Sequence, residues 1–260
     1  MNTSHALYLD KINNNELWKE SMNKEIDSIN TFETFRILED DEELPEGYVK
    51  IPYHFVWDCE FYGQRKYRLV AGGDRTPDVP PEEVYSGVVS MDTIRMAFNL
   101  ASMNNLDVCA SDISTAFLYG KTREKVYVVA GQEFGKHAGK GMIIDRGLYA
   151  LKTSLVRFHE NLSSKLQRMG FTPSKTDFDL WVRPKQDHYE CMATYVDDIL
   201  AFSHDPMSII EEICKDYMLK GVGKPEYYLG GNFHTTKDIE GMKEVNNDDM
   251  NHHLSSKWLN

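Results

Sequence analysis

The segment Tyr195-Val196-Asp197-Asp198 sets two adjacent carboxylates between two apolar runs, Cys191 to Thr194 before it and Ile199 to Phe202 after it. Runs this short predict two strands joined by a tight turn, with both acids at the turn. Like charges repel there, and partial burial penalises ionisation. A divalent cation removes both penalties. Hard oxygen ligands suit Mg²⁺, which commonly binds one or two protein carboxylates together with substrate phosphates. The chemistry such a pair could do is metal-assisted phosphoryl transfer. The other reading is an ordinary acidic turn, since Asp is a common turn residue. A two-metal site for nucleotidyl transfer needs a further carboxylate. Asp112 is the natural third acid, lying in an apolar context with Ala116, Phe117 and Leu118 just after it. Its alternative role is a helix cap or turn acid.

The elements that must position these acids follow from periodicity. Leu106 to Leu118 reads as a strand entering a helix or turn, with Asp112 inside it. Trp18, Met22, Ile26 and Ile29 share one helical face, predicting a helix over 16–30. Ile51 to Tyr67 reads as one or two strands broken near Tyr62-Gly63-Gln64. Lys66 and Arg68 precede Leu69 to Gly73, a strand running into a glycine loop. Thr76 to Gly87, with three prolines, reads as a loop. Asp92 is a candidate cap for a helix over 93–103, with Ile94, Ala97, Phe98 and Ala101 inward. Val126 to Val129 is a short buried strand, and Gly131 to Gly141 a loop without the phosphate-loop pattern GxxxxGK[ST]. Leu155, Phe158, Leu162, Leu166 and Met169 form an amphipathic stripe that reads as core. Asp205-Pro206 starts a helix through Met218, with Ile209, Ile210, Ile213 and Tyr217 inward. Tyr227 to Phe233 reads as a further strand. Strands and helices in this order fit an α+β sheet with helices packed on one side.

Composition narrows the class. The 260 residues are 41% hydrophobic and 27% charged, in the range of globular proteins. No apolar run of about 18 residues exists and the N-terminus has no signal-peptide pattern, so neither a membrane span nor secretion is expected. The four cysteines have no CxxC spacing and read as reduced thiols in an intracellular protein. The net charge of −12 argues mildly against nucleic-acid binding, although it does not exclude a basic cleft. Much of the excess lies in Glu39 to Glu43, which reads as a solvated loop.

Over roughly Leu17 to Phe233 the chain resembles, in order, the reverse transcriptase domain of copia-type LTR retrotransposons, the pseudovirus group. The resemblance rests on Trp18 with Glu25, His54-Phe55-Val56-Trp57, and Lys66-Tyr67-Arg68-Leu69-Val70-Ala71-Gly72-Gly73. It continues through Tyr85 to Ser90, Thr93-Ile94-Arg95, Asp112 to Gly120 and Leu148-Tyr149-Ala150-Leu151-Lys152. Gly170-Phe171, Ser174, Asp177, the Tyr195 to Leu200 segment and Tyr228-Leu229-Gly230 complete it. The last resembles the family's primer-gripping hairpin.

The resemblance implies a right-hand polymerase: an α+β fold with fingers and palm, an antiparallel palm sheet with helices on one face, and a largely missing thumb. Residues 1–105 would form the fingers and N-terminal helix with part of the palm. Residues 106–235 would form the palm, with a fingers insertion at about 121–153, and 236–260 a truncated start of the thumb. Asp112, Asp197 and Asp198 would be the catalytic acids holding two Mg²⁺ ions, with Mn²⁺ as a possible substitute. Lys66 and Arg68 would neutralise the incoming triphosphate, or else be solvated surface cations. Phe117 would sit under the sugar and select deoxynucleotides, or pack in the core. Tyr149 and Lys152 would line the template or nucleotide pocket.

The implied activity is RNA-directed DNA polymerisation on a primed RNA or DNA template with dNTPs. It implies a virus-like particle in the cytoplasm, no membrane partner, and remaining Pol domains (ribonuclease H and integrase) in a longer polyprotein. The alternatives are an inactive, truncated or domesticated remnant that binds nucleic acid or protein, and an unrelated metal-dependent nuclease. The chain departs from the family pattern at Thr153, where Gln is usual and would contact the template–nucleotide pair. Ala150 replaces a usual Gly, and Phe158 a usual Trp; Ala150 is expected to strain a turn that wants positive φ.

Overall fold

The computed structural model describes residues 3–59 and 63–225, and beyond them the backbone of four short strands. In chain order the elements begin with α1 (Thr3–Ile12), α2 (Leu17–Thr31), β1 (Phe35–Ile37), β2 (Val49–Lys50), β3 (Tyr53–Cys59), β4 (Arg65–Ala71), α3 (Met91–Met103) and β5 (Asp107–Ile113). Then come β6 (Val126–Val129), β7 (Gly141–Ile144), α4 (Ser154–Arg168), β8 (Thr172–Pro173), β9 (Leu180–Pro184), β10 (Tyr189–Tyr195) and β11 (Asp198–Ser203). The series ends with α5 (Pro206–Cys214), β12 (Leu219–Gly223), β13 (Tyr227–Tyr228), β14 (Gly231–Asn232), β15 (His234–Lys237) and β16 (Lys243–Asn246). Among the described residues no helix is long and apolar enough to cross a membrane.

Two compact units share the chain: Met1–Ser86 with Thr115–Leu162, and Gly87–Ser114 with Ser163–Asn260. In the first, β3 and β4 form an antiparallel hairpin in register from Tyr53↔Ala71 to Cys59↔Arg65. Strand alternation turns Tyr67, Leu69 and Ala71 inward and leaves Lys66 and Arg68 together on the other face. α2 is anchored to this hairpin at two points. Trp18 meets Trp57 edge-on at 5.5 Å, and the Glu25 carboxylate accepts the Leu69 N–H at 3.0 Å. Glu16 makes no side-chain cap for α2. Buried Asp10 of α1 supplies one instead, accepting the N–H groups of Trp18 (3.1 Å) and Lys19 (2.9 Å). A four-stranded sheet ordered β1-β7-β6-β2, with only β2–β6 parallel, completes the unit. Its core gathers Ile29, Ile51, Leu69, Val126, Val128, Met142 and Ile144, each such burial contributing roughly 1.5–3 kcal/mol.

The second unit is built on an antiparallel sheet ordered β12-β5-β11-β10-β9-β8. α3 buries Ile94, Ala97, Phe98 and Ala101, as its sequence pattern predicts. They pack with Leu180, Ala193, Leu200 and Phe202, Phe98 meeting Phe202 edge-on at 5.3 Å. α5 meets the sheet elsewhere: Met207 touches Cys109, whose cross-strand partner is Ala201. Ala201 and Phe202 are consecutive, so they point to opposite faces. The expectation of helices on one face is therefore corrected: α3 and α5 cover opposite faces of this sheet. The α+β class itself holds.

Two helix ends also differ from the sequence reading. Ser90, not Asp92, caps α3, its Oγ accepting the Thr93 N–H at 3.2 Å. α5 starts at the Asp205 cap as expected but stops at Cys214, not Met218. The N–H groups of Asp216 and Tyr217 both turn back to the Ile213 carbonyl, which closes the helix. The expected single strand over 227–233 is an antiparallel pair instead, Tyr227↔Asn232 and Tyr228↔Gly231. Leu229, Gly230 and Phe233 lie outside the described residues.

Candidate active site

The hairpin of β10 and β11 closes through two residues, Val196 and Asp197, between the paired Tyr195 and Asp198. A two-residue hairpin loop requires positive φ at its first position, normally met by Gly. Val196 adopts φ 55. For a β-branched residue this conformation costs about 1–2 kcal/mol. The tight loop places Asp197 at the tip and fixes Asp198 as the first residue of β11. The neighbouring strand is tied to the same tip, because the Ile113 N–H donates to the Asp197 carbonyl at 2.7 Å.

Register then brings two acids together. Asp198 is the cross-strand partner of Asp112, so both side chains leave the same face of the sheet. On the far side of β5, Lys220 of β12 is the partner of Asp112, and its ammonium lies 3.2 Å from Asp112 Oδ1. Three adjacent strands therefore carry a row of charges: Lys220, Asp112, Asp198. Burial pushes the Asp198 carboxyl up to about 7, Asp197 and Asp112 push it in the same direction, and Lys220 pulls it back. Lys220 escaped the sequence reading. Its surroundings, Leu219-Lys220-Gly221-Val222-Gly223, have no strand-like alternation, and only the register against β5 reveals its partner.

The two carboxylates of this row fit a hard divalent cation in their chemistry: oxygen donors whose mutual repulsion a cation relieves. Among the described residues, no three His, Cys, Asp or Glu side chains are gathered into a ready cation cage. Mg²⁺ does not need one, since it commonly keeps water and takes substrate phosphate alongside one or two carboxylates.

The remaining candidates lie in the first unit, and the structure brings three of them together. The Arg68 guanidinium lies 5.5 Å from the centroid of the Tyr149 ring, and Phe117 meets that ring edge-on at 5.2 Å. Tyr149 is held against β4 by its carbonyl, which accepts the Ala71 N–H at 2.9 Å. Asp58 lies 3.9 Å from Arg68. Lys66 shares the Arg68 face of β4. Lys152 turns to the backbone, donating to the carbonyls of Thr76 (3.2 Å) and Pro77 (3.4 Å), beside a 480 Å³ depression lined by Val79, Pro81, Val84 and Tyr85.

Two departures from the family pattern acquire a physical reading. Thr153 is buried, and both its N–H and its hydroxyl donate to Glu124 Oε1, at 2.9 and 2.8 Å. Its hydroxyl is thereby committed to holding the start of α4. Ala150 does adopt φ 67, the strain expected where Gly is usual. Ala150→Gly should stabilise the chain by about 0.5–1 kcal/mol, raising the melting temperature by about 2 °C. A calorimetric scan showing no gain or a loss would refute the strain.

The family described as "Reverse transcriptase (RNA-dependent DNA polymerase)" matches residues 32–252. The retrovirus-related Pol polyprotein from transposon TNT 1-94 of Nicotiana tabacum is 26% identical over 230 residues, covering 83% of this chain and 17% of the polyprotein. The corresponding polyprotein from transposon RE1 of Arabidopsis thaliana is 27% identical over 171 residues, covering 64% and 12%. The chain thus spans less than a fifth of the length of these polyproteins. A solved structure of the foamy viral protease-reverse transcriptase in complex with double-stranded DNA aligns with a TM-score of 0.47 at 15% identity. It covers 84% of this chain and 34% of that one.

Proposed function

The chain belongs to the reverse transcriptase (RNA-dependent DNA polymerase) family, and from that premise we propose that it is the polymerising core of a copia-type retrotransposon Pol polyprotein. It would extend a primer on an RNA or DNA template with dNTPs. The single observation that carries this reading is the cross-strand pairing of Asp112 with Asp198 beside the Asp197 turn. In this reading the second unit would be the palm and the first the fingers, with boundaries near 86, 114 and 162. Residues 236–260 would begin the thumb.

Asp112, Asp197 and Asp198 would hold Mg²⁺, or Mn²⁺ in its place. Bound there, two ions would supply activation of the primer 3′-hydroxyl and neutralisation of the triphosphate and leaving group. Lys66 and Arg68, on one face of β4, would draw in the triphosphate. Arg68 is pre-oriented by the Tyr149 ring and by Asp58. Phe117, braced against Tyr149, would lie under the sugar and leave no room for a 2′-hydroxyl. Lys152 would line the template or nucleotide pocket once freed from the Thr76 and Pro77 carbonyls. By the same reading the protein works in a cytoplasmic virus-like particle, beside the ribonuclease H and integrase of its polyprotein.

A second reading, a silent remnant that binds nucleic acid or protein, is favoured by one observation. The position where the family has a template-contacting Gln is a buried Thr153 bound to Glu124. Primer extension on oligo(dT)–poly(rA) with Mg²⁺ separates the two. Extension by the wild type that is lost in Asp112→Asn supports the polymerase. Well-folded protein without extension in Mg²⁺ or Mn²⁺ supports the remnant.

A further inference from the structure

Lys220 occupies an unusual place. It is in direct cross-strand register with Asp112, and Asp112 is in direct register with Asp198. Its ammonium touches Asp112 Oδ1 at 3.2 Å, yet about half of its side chain remains open to solvent. The strand that carries it is the sheet edge, and its pairing with β5 shifts register between Lys220 and Gly223. Gly221, immediately after Lys220, has φ +63, and a side chain there would meet nothing within 4 Å. The lysine therefore stands on an irregular edge segment with free space around its next residue. Other groups that face this row are Asp197 and Asp198 of the hairpin, both of which add negative charge.

We propose that Lys220 is a built-in counter-cation of the acidic row, which pairs with Asp112 when no metal is bound and competes with a divalent cation for that carboxylate. The inference rests on the polymerase reading, in which Asp112 is a metal-holding acid. Its physical logic is that of substitution. Asp112 and Asp198, in cross-strand register with Asp197 at the adjoining turn, repel one another, and an ammonium 3.2 Å from Asp112 relieves part of that repulsion before any ion arrives. A divalent cation relieves more of it, but must first separate Lys220 from Asp112. An ion pair with one half-exposed partner separates easily, because water solvates the freed ammonium. By reciprocity, whatever weakens the lysine's hold tightens the cation's.

The test is a Mn²⁺ titration of the full chain, without nucleic acid or dNTP, followed by the electron paramagnetic resonance signal of free Mn²⁺. Lys220→Met and Lys220→Gln should each bind Mn²⁺ about three- to fivefold more tightly than the wild type, and Lys220→Arg should stay near the wild-type value. The gap should narrow as salt is raised, since screening weakens the ion pair. Unchanged or weaker binding in both neutral variants, with normal binding by the wild type, overturns the inference and leaves the polymerase reading intact. Wild-type protein that binds no more Mn²⁺ than Asp112→Asn overturns both.

Discussion

Asp198→Asn is expected to abolish primer extension and, at the same time, to make the protein more stable. On the proposed reading the substitution removes one of three metal-holding acids, an effect worth several kcal/mol of barrier and so at least about 10³-fold in rate. The gain in stability follows from the environment of the native carboxyl. Burial, Asp197 and Asp112 push it up to about 7, whereas in the unfolded chain it titrates near 3.9. Between those values the folded state binds the extra proton, so stability falls as pH rises from about 4 to 7 and levels off above. The penalty above pH 7 is on the order of a few kcal/mol. Asn carries no charge and escapes it. Thermal unfolding should show Asp198→Asn above the wild type at pH 8, with the difference shrinking below pH 7 and gone by about pH 4. Mg²⁺ should raise the wild-type melting temperature and leave the variant's nearly unmoved. A variant that is inactive but no more stable at pH 8 would contradict the repulsion assigned to this site.

The same hairpin shows what was legible in the sequence. Two apolar runs around an acidic pair can only be strands with the acids at the turn, and β10 and β11 follow that pattern within a residue or two. α2, α3, β6 and α4 were equally legible, because each carries a strong local period. The unread elements are short or depend on a partner. β1, β2 and β8 have three residues or fewer, too few to show any period. β7 carries the run Met142-Ile143-Ile144 directly behind a glycine loop, and three residues are again too few to show a period. At α3, Ser90 and Asp92 are both good caps. Ser90 prevails because its Oγ reaches the Thr93 N–H, while its own N–H is held by Asp177 at 3.0 Å.

At the site, the three acids and the Arg68 strand were readable as residue types, but their company was not. That Lys220 would oppose Asp112 depends on which edge of β5 was left for β12, a tertiary outcome. That Thr153 would be buried depends on Glu124, which local pattern alone does not link to it. Burial of these polar groups is tolerated because each found a charged or hydrogen-bonding partner, and partners distant in sequence leave no periodic trace.

Gly73→Ala should be the most damaging replacement of a glycine in the first unit. β4 ends at Ala71, and the chain then passes so close to the loop at 149–151 that a methyl on Gly73 would fall 1.8 Å from the Ala150 carbonyl oxygen. The obstacle is backbone, so no side-chain rotation relieves it. Either Gly73 or the loop must move. The loop is pinned to β4 by the Ala71–Tyr149 hydrogen bond, and moving it pulls Tyr149 away from Arg68 and Phe117. The expected loss is about 2–3 kcal/mol of stability, a fall of roughly 5–10 °C in melting temperature. Because Arg68 would lose the Tyr149 ring that it lies against, the proposed role of Arg68 in drawing in the triphosphate predicts a rise in KM for dNTP in whatever folded protein remains. Gly63→Ala provides the contrast. That glycine has positive φ, +79, which Gly73 does not, and nothing lies within 4 Å of the added methyl. Only conformational strain applies there, about 1 kcal/mol, with no change in KM. A loss at Gly73 no larger than that at Gly63 would show that the close approach of two chain segments does not set the demand for glycine after β4.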